Sequence, residues 1–424
     1  MPRVWLFNVE EVAPEEDLHF DRVFTPKVAA VFPRFLFCLE PGDLTVAPVP
    51  VPEDFARYAA AVNGLPEDLR WLRTLPRRTR PYSIVTSILA DRRGIFAELR
   101  GLGKAGGWQL EPYYQSHRIL ELSRKTGIPF DPCSAQAVLS GVILELNDKA
   151  YFKALMSLVG VPTVRGYLAY DRESLRAAMD RAGKDRRSRI MVKKTRYGGG
   201  IGNLSGTPAS IRRRLRGWYG GGDVIVEPFL RFASVAGSLA TISSGGVRYH
   251  GVDEQVFAAG RWAGFRYPHR DDAASRRIRE LTLRVARQVR AKNARGDINL
   301  DWGILRGGSG RSIPLALECN FRHNGFGYLM RFARRFFGPR AGRMHIRYTE
   351  AFPLRPALDT LQALREAAGK LRIGGEPVLI DHPGLKRGAV IMMPPARGAC
   401  AMAVFGDTPR YADRAAASLR DALG

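Results

Sequence analysis

Cysteine is scarce in this chain of 424 residues: its four thiols lie far apart and form no C-x-x-C pair. The scarcity argues against a disulfide framework or a thiolate zinc site, and it favours a reducing, cytoplasmic setting. Long apolar runs are also missing, since no window approaches the ~20 apolar residues of a membrane span. The first ten residues lack the charged and apolar parts of a signal peptide. We therefore expect neither a membrane partner nor secretion.

Two phosphate-binding motifs are absent or out of context. No G-x-x-x-x-G-K-[ST] sequence occurs, which excludes a P-loop. One G-x-G-x-x-G match, Gly101-Leu-Gly103-Lys-Ala-Gly106, follows a predicted helix rather than a strand, and no β-α-β unit follows it. This context argues against a dinucleotide-binding turn and favours a flexible turn.

Acidic residues are few beside the basic ones, 41 against 66, which leaves a net charge of +25. Such a surface attracts polyanions, so a nucleic-acid-binding protein with basic helices near 211–216 and 331–343 is one alternative. However, the basic residues are mostly arginines scattered along the whole chain. An enzyme that handles phosphates and carboxylates, or a genome rich in Arg codons, has the same excess. Nucleic acid is therefore not our expected partner.

The chain changes character near residue 147. The part before it alternates apolar and turn-forming segments, and the part after it carries longer helical and strand patterns. The predicted strands are 3–9, 35–39, 83–89, 165–170, 190–192, 224–227, 239–243, 247–256, 298–305, 314–320 and 389–393. The predicted helices are 53–63, 95–100, 147–158, one capped by Asp171, 275–292, 357–370 and one after Asp407.

Two neighbouring strands carry the strongest functional pattern, Asp301 followed by Leu317-Glu318-Cys-Asn320-Phe-Arg322. Glu318 and Asn320 are two residues apart on a strand, so they share a face, and Asp301 can add a second carboxylate. Two carboxylates and an amide oxygen are hard ligands that suit Mg²⁺. An unpaired carboxylate in so apolar a strand would be costly, which favours a metal site over a surface hairpin. Arg322 adds a permanent cation where negative charge would accumulate.

A second pattern places Lys193 at the end of a buried strand and a glycine-rich loop, with Gly199 and Gly200, directly after it. Glycine lets backbone N–H groups approach a polyphosphate closely, and lysine supplies a point charge. A flexible loop without function is the equal alternative. A third strand ends at Glu227, before Pro-Phe-Leu230, where a carboxylate and backbone groups could meet the edge of an adenine.

In chain order these pieces resemble the ATP-grasp superfamily, over residues 147 to 330. The first third and the small tail also resemble the pre-ATP-grasp peptide ligases of the pheganomycin type. The resemblance implies an α/β fold with a Rossmann-like pre-ATP-grasp domain at 1–145, ATP-grasp lobes at 146–225 and 226–345, and a small α/β extension at 346–424.

The resemblance also implies a role for each matched residue. Lys149 and Lys193 would contact ATP phosphates, Glu227 the adenine amino group and Leu230 the ring through its backbone. Asp301, Glu318 and Asn320 would hold Mg²⁺, and Arg322 would stabilise an acyl phosphate or the tetrahedral species formed from it. No acidic residue stands where many members hold the ribose, because the segment reads Ser234-Val-Ala-Gly-Ser238. The resemblance also places four residues where such enzymes often bind the acceptor substrate, without implying their roles: His250, Asp253, Arg266 and His269.

The implied activity is an ATP-dependent ligase that joins a small-molecule carboxylate to the amine of an amino acid or peptide, releasing ADP and phosphate, in natural-product biosynthesis. A nucleotide-binding ATP-grasp protein without ligase chemistry is a further alternative, against which the intact metal-ligand set argues. A homodimer is among the arrangements that the sequence allows.

Overall fold

A computed structural model of the chain describes residues 1–13, 30–76, 83–183, 185, 187–197, 202–308 and 310–424. The first part forms a parallel sheet of the order β3-β2-β1-β4. Its strands are β1 (Arg3–Leu6), β2 (Leu44–Ala47), β3 (Leu72–Thr74) and β4 (Gln109–Pro112). Its helices are α1 (Glu53–Asn63), α2 (Ile84–Ala90), α3 (Ile95–Ala105), α4 (His117–Thr126), α5 (Pro132–Leu139) and α6 (Val142–Leu146), with 3₁₀ turns at Val9–Val12 and Phe32–Cys38.

Two predicted strands in this part are wrong. The segment 35–39 covers the end of the 3₁₀ turn Phe32–Cys38 and its C-cap Leu39. The turn has a proline at its second position and buries its aromatic side chains without a strand partner. The segment 83–89 is instead helix α2, because the Ser83 side chain caps it by accepting a hydrogen bond from the Thr86 N–H at 3.3 Å. In both cases a short apolar run fits a buried helix as well as a strand.

The second part is a smaller antiparallel sheet of the order β5-β8-β6-β7, covered by helices. Its strands are β5 (Tyr167–Ala169), β6 (Ile190–Lys194), β7 (Asn203–Gly206) and β8 (Val224–Pro228). Its helices are α7 (Lys149–Leu158), α8 (Arg172–Ala182) and α9 (Pro208–Trp218). The predicted helix starts are confirmed, since the side chains of Asp148 and Asp171 cap α7 and α8.

The third part is an antiparallel sheet of eight strands in the order β13-β12-β9-β10-β11-β14-β18-β17. The strands of this part are β9 (Ser234–Ser243), β10 (Gly246–Ala258), β11 (Arg261–Tyr267), β12 (Gly296–Arg306), β13 (Ser312–Asn320), β14 (His345–Pro353), the short pair β15 (Arg372–Ile373) and β16 (Glu376–Pro377), β17 (Gly388–Ile391) and β18 (Ala399–Gly406). Its helices are α10 (Asp272–Ala291), α11 (Gly325–Phe337), α12 (Leu361–Gly369) and α13 (Pro409–Leu423), with 3₁₀ turns at Gly338–Arg343 and Pro356–Leu358.

The large sheet runs across residue 345, so strands from both sides of that predicted boundary are hydrogen-bonded to one another. The helix predicted at 275–292 is α10, and its apolar residues Ile278, Leu281 and Val285 are fully buried against the sheet. None of the described helices is both long and apolar enough to cross a membrane.

Candidate active site

Asp301 and Glu318 lie directly opposite each other on β12 and β13. The register shifts immediately after this pair, where Trp302 faces Ala316, so the strand carries a bulge at the site. Bulges redirect side chains and often occur beside active sites. The bulge leaves both carboxyl groups on one surface, close enough to hydrogen-bond. The predicted pairing of these two carboxylates is therefore present in the fold.

Asn320 and Arg322 extend the pair in the order that the sequence predicts. The Asn320 amide Nδ2 donates to Asp301 Oδ2 at 3.0 Å, and Arg322 donates to the Asn320 Oδ1. A half turn of the Asn320 amide would direct its oxygen at Asp301 instead. Arg322 Nη1 also donates to Asn147 Oδ1 at 2.6 Å, which fixes the guanidinium.

Lys149 neutralises this acidic pair. Its Nζ lies 3.1 Å from Glu318 Oε2, and only 6% of its side chain is exposed. Burial raises the pKa of Glu318, but the charge and hydrogen bond of Lys149 outweigh it and lower that pKa to about 2. Burial and the neighbouring Glu318 charge raise the pKa of Asp301 well above its ordinary value. These neighbours therefore favour the ionised form of Glu318 and the protonated form of Asp301.

A second charged cluster surrounds Glu227 at the end of β8. Lys193 Nζ lies 2.7 Å from Glu227 Oε2, and Lys153 Nζ lies 2.5 Å from Glu227 Oε1. Burial raises the pKa of Glu227, but the two lysines together hold it below its ordinary value. The charge of Lys193 also lowers the pKa of Glu318, so the two clusters are close enough to interact electrostatically.

The structure brings seven predicted site residues into these two clusters: Lys149, Lys193, Glu227, Asp301, Glu318, Asn320 and Arg322. Leu230 is half-buried in the segment after β8, and none of the described contacts joins it to the clusters. Gly199 and Gly200 lie outside the described residues. The roles given to all ten residues stay predictions.

Three polar residues of the site were missed by the sequence analysis. Lys153 follows Lys149 by one helical turn, so the i, i+4 spacing could have identified it. Asn147 marked only a helix start, although its Oδ1 also accepts from the Phe321 N–H at 3.1 Å. Gln255 Nε2 donates to Asp301 Oδ1 at 2.7 Å from a strand two places away in the sheet. No local pattern could have identified this contact.

The residues predicted near the acceptor separate into two groups. Asp253 accepts a hydrogen bond from the Gly237 N–H at 2.6 Å and lies in the same cross-strand row as Asp301. Burial raises its pKa to about 8. A Cβ on Gly237 would come within 2.7 Å of Asp253 Oδ1, so the row is open only because that residue is glycine. The two histidines have other partners. His250 Nε2 lies 2.7 Å from Thr241 Oγ1, and His269 Nε2 lies 3.4 Å from Ser234 Oγ.

The donor set fits a divalent cation. Within the described parts of the chain, no group of three or more histidine, cysteine, aspartate or glutamate side chains is arranged as a metal site. The donor set of this site differs from such a group, because it combines the carboxylates of Asp301 and Glu318 with the side-chain amide of Asn320. Two carboxyl groups in contact repel each other when both are ionised, unless a proton or a cation lies between them. The raised pKa of Asp301 shows this repulsion, which a bound cation would also relieve. Mg²⁺ prefers such oxygen ligands.

Comparison with known proteins defines the class of fold. Residues 32–128 match the family model of the pre ATP-grasp domain. An N5-carboxyaminoimidazole synthase from Aspergillus clavatus, solved with ADP and 5-aminoimidazole ribonucleotide, superposes with a TM-score of 0.60 at 12% identity, over 99% of this chain and 98% of that one. The biotin carboxylase domain of a 2-oxoglutarate carboxylase from Hydrogenobacter thermophilus, solved with MgADP and bicarbonate, has a TM-score of 0.61 at 13% identity, over 100% and 90%.

The same arrangement recurs in a biotin carboxylase from Campylobacter jejuni, solved with an ATP analogue, at a TM-score of 0.59 and 13% identity over 100% of this chain and 91% of that one. No curated protein matches the sequence. The chain therefore has an ATP-grasp fold with an N-terminal pre-ATP-grasp domain, as the resemblance implied.

Proposed function

We propose that this protein is an ATP-dependent carboxylate–amine ligase. The observation that carries the proposal is the half-buried Asp301–Glu318 pair, with Lys149 at 3.1 Å on one side and Arg322 bonded through Asn320 on the other. Several structural neighbours with this fold are complexes with ATP, ADP or MgADP. Asp301, Glu318 and Asn320 would hold Mg²⁺, which would offset the charge of ATP phosphates.

In the first step the substrate carboxylate attacks the γ-phosphorus of ATP. The bond to the β-phosphate breaks, ADP leaves and an acyl phosphate forms. Lys149 and Lys193 supply positive charge that offsets the negative charge of the triphosphate. Because both lysines are held by buried carboxylates, their positions are set before the substrates bind, which is the condition for strong electrostatic stabilisation.

In the second step the amine attacks the acyl carbon. Phosphate leaves with the bonding electrons, the amine loses a proton and an amide remains. The guanidinium of Arg322 stabilises the oxyanion of the tetrahedral species. Its two hydrogen bonds, to Asn147 and Asn320, restrict its rotation and keep it beside the carboxylate pair.

The finer proposal is that the acceptor is an amino acid or peptide and the product a peptide of natural-product biosynthesis. The resemblance of the first third and the small tail to the pre-ATP-grasp peptide ligases supports this choice. An ammonium group bound beside the row formed by Asp253 and Asp301 across Gly237 would favour the ionised form of these two carboxyl groups, whose pKa values are otherwise raised.

A product analysis tests the proposal. Purified protein, MgATP and pairs of amino acids or peptides are incubated together, and released phosphate is measured while mass spectrometry identifies the products. We expect ADP, phosphate and an amide, each dependent on both substrates. Release of AMP and pyrophosphate would contradict the proposal, because an adenylating enzyme cleaves ATP at a different phosphate.

A further inference from the structure

His323 follows Arg322 directly, and its ring joins two sheets. The ring Nε2 lies 2.8 Å from Glu111 Oε1 on β4, and the ring Nδ1 lies 2.9 Å from Asp297 Oδ2 on β12. Only 11% of the His323 side chain is exposed. A residue of the pre-ATP-grasp domain and a residue of the large sheet thus hold one imidazole from opposite sides.

The backbone around Arg322 is held at the same place. The His323 N–H donates to the Tyr113 carbonyl at 3.1 Å, and the Tyr113 N–H donates to the Leu6 carbonyl at 2.7 Å. On the other side of Arg322, the Phe321 N–H donates to Asn147. The amides on either side of Arg322 are therefore both anchored, one of them to the pre-ATP-grasp sheet.

Two arginines lie near the carboxylates that hold His323 and offset their negative charge. Arg3 lies 3.9 Å from Glu111, and Arg331 lies 4.0 Å from Asp297. Asp297 also accepts a hydrogen bond from Thr241 at 2.6 Å. Burial disfavours the imidazolium, but hydrogen bonds to the two carboxylates outweigh it and raise the pKa of His323 to about 9. Both ring nitrogens can donate only in this charged form.

We infer that Glu111 and His323 are positioning residues through which the pre-ATP-grasp domain keeps Arg322 in the orientation that ligation requires. The inference rests on the proposed function for the role of Arg322. The pre-ATP-grasp domain then contributes to the reaction itself, because the Glu111 carboxylate that it supplies helps to fix the orientation of Arg322, which follows β13 of the large sheet. A displacement of about 1 Å at such a group can cost about a hundredfold in rate.

The test compares Glu111→Gln with a matched control, Glu350→Gln. Glu350 also forms a half-buried ion pair across the molecule, with Arg34 Nη1 2.7 Å from its Oε1, but none of its described contacts leads to Arg322. Both substitutions remove one charge and keep the side-chain size. A merely structural role for Glu111 would make the two variants behave alike.

The first readout is hydrogen–deuterium exchange of the peptide that contains residues 321–323, followed by mass spectrometry. We expect Glu111→Gln to raise exchange there by roughly tenfold through local opening, while Glu350→Gln leaves it near wild type. Unchanged exchange in Glu111→Gln would overturn the inference. This readout needs no substrate, so it stands even if the proposed ligase activity is not found.

The second readout is the rate of amide formation with the substrates that the product analysis identifies. In Glu111→Gln we expect kcat to fall by about tenfold or more, with the Kd of a non-hydrolysable ATP analogue changed less than about threefold. Glu111→Ala should lose more, because it also removes the hydrogen-bond acceptor. An equal loss of kcat in Glu350→Gln, or a loss confined to nucleotide binding, would show that Glu111 does not act through Arg322.

Discussion

At the scale of single residues, the site is built from charges that are expensive to bury and are therefore held in pairs. Desolvating a carboxylate costs several kcal/mol, and a partner in contact repays most of it. Glu227, with 4% of its side chain exposed, has two lysine partners, and Glu318 has one lysine and one protonated carboxyl group. Pairs of this kind contribute little to net stability, so their presence favours a chemical role.

Replacing one charged residue in either of the two clusters should reduce activity strongly. For Glu318→Ala and Lys193→Ala we expect turnover to fall by about a hundredfold or more, the size of loss seen when a preorganised electrostatic contact is removed. The measurement is the rate of ADP release with both substrates present. Lys194→Ala is the control, because its Nζ lies 5.0 Å from the Tyr197 ring and 5.4 Å from the Trp218 ring. Near-normal rates for the first two variants would mean that the site lies elsewhere.

The ionisation of His323 should make the stability of the protein depend on pH in a defined direction. Its pKa is raised to about 9 in the folded state, against an ordinary value of 6.5. Its contribution to folding is therefore complete below about pH 6.5 and is lost as the pH rises through about 9. We expect up to about 3 kcal/mol of the free energy of unfolding to disappear over this range, because that is the free energy to which this difference in pKa corresponds. Denaturant unfolding of wild type and His323→Gln between pH 6 and 10 measures the difference, which should shrink with rising pH.

At the scale of elements, the G-x-G-x-x-G match is explained by helix packing. Gly101 and Gly103 lie inside α3, and Gly106 ends it. A Cβ on Gly103 would collide with the Thr126 carbonyl of α4, whereas a Cβ on Gly101 would meet nothing within 4 Å. Rejecting a dinucleotide-binding turn agrees with the structure, but the expected flexible turn is wrong, because the helix continues five residues past the predicted end at residue 100.

The two glycines should therefore respond in opposite directions. Gly103→Ala separates α3 from α4 and should destabilise the protein by about 1–3 kcal/mol, the usual cost of overpacking. Gly101→Ala adds only helix propensity and should stabilise by about 0.5–1 kcal/mol. Thermal unfolding of the two variants measures the contrast. Equal effects would mean that α3 and α4 do not approach each other as closely as described.

At the scale of the whole molecule, the C-terminal part is integrated into the large sheet. The strands β17 and β18 extend the sheet beyond β14, and the Phe405 ring lies 5.3 Å from the rings of Phe332 and Phe337 on α11. Because α11 begins just after Arg322, packing by the C-terminal part supports the segment that carries the site.

Phe405→Ala tests this integration. Phe405 is fully buried, so its truncation should cost about 3–5 kcal/mol and lower the unfolding transition of the whole molecule. Phe257→Ala is the matched control, because Phe257 is 49% exposed and should change stability by less than about 1 kcal/mol. Denaturant unfolding followed by tryptophan fluorescence distinguishes them. A separate early transition, with the remainder unfolding as in wild type, would show that the C-terminal part is an independent unit.

The placement of the basic residues distinguishes an ATP-dependent ligase from a nucleic-acid-binding protein. One of the basic segments considered for nucleic acid, 331–343, lies largely in α11, where Phe332 is fully buried and Arg331 and Arg335 contact neighbouring groups of the fold. We therefore expect no micromolar affinity for duplex DNA near physiological salt, and a steep fall of any residual binding as salt rises. A fluorescence titration at several salt concentrations measures this. Micromolar binding that ignores ATP would favour the alternative.

The sequence by itself determined the features that depend on near neighbours. Capping by Asp148 and Asp171, the buried face of α10 and the Asp301–Glu318 hairpin all arise from interactions within a few residues or between adjacent strands. The two mistaken strands show the limit, because a short apolar run is compatible with either helix or strand until its packing partners are known.

Only the tertiary structure decided which distant side chains meet. Lys153 reaches Glu227, Gln255 reaches Asp301 and Glu111 reaches His323 across 74, 46 and 212 residues of chain. Such pairings depend on the order of strands in a sheet and on how two sheets are placed. These are set by the burial of the whole apolar surface rather than by any local pattern.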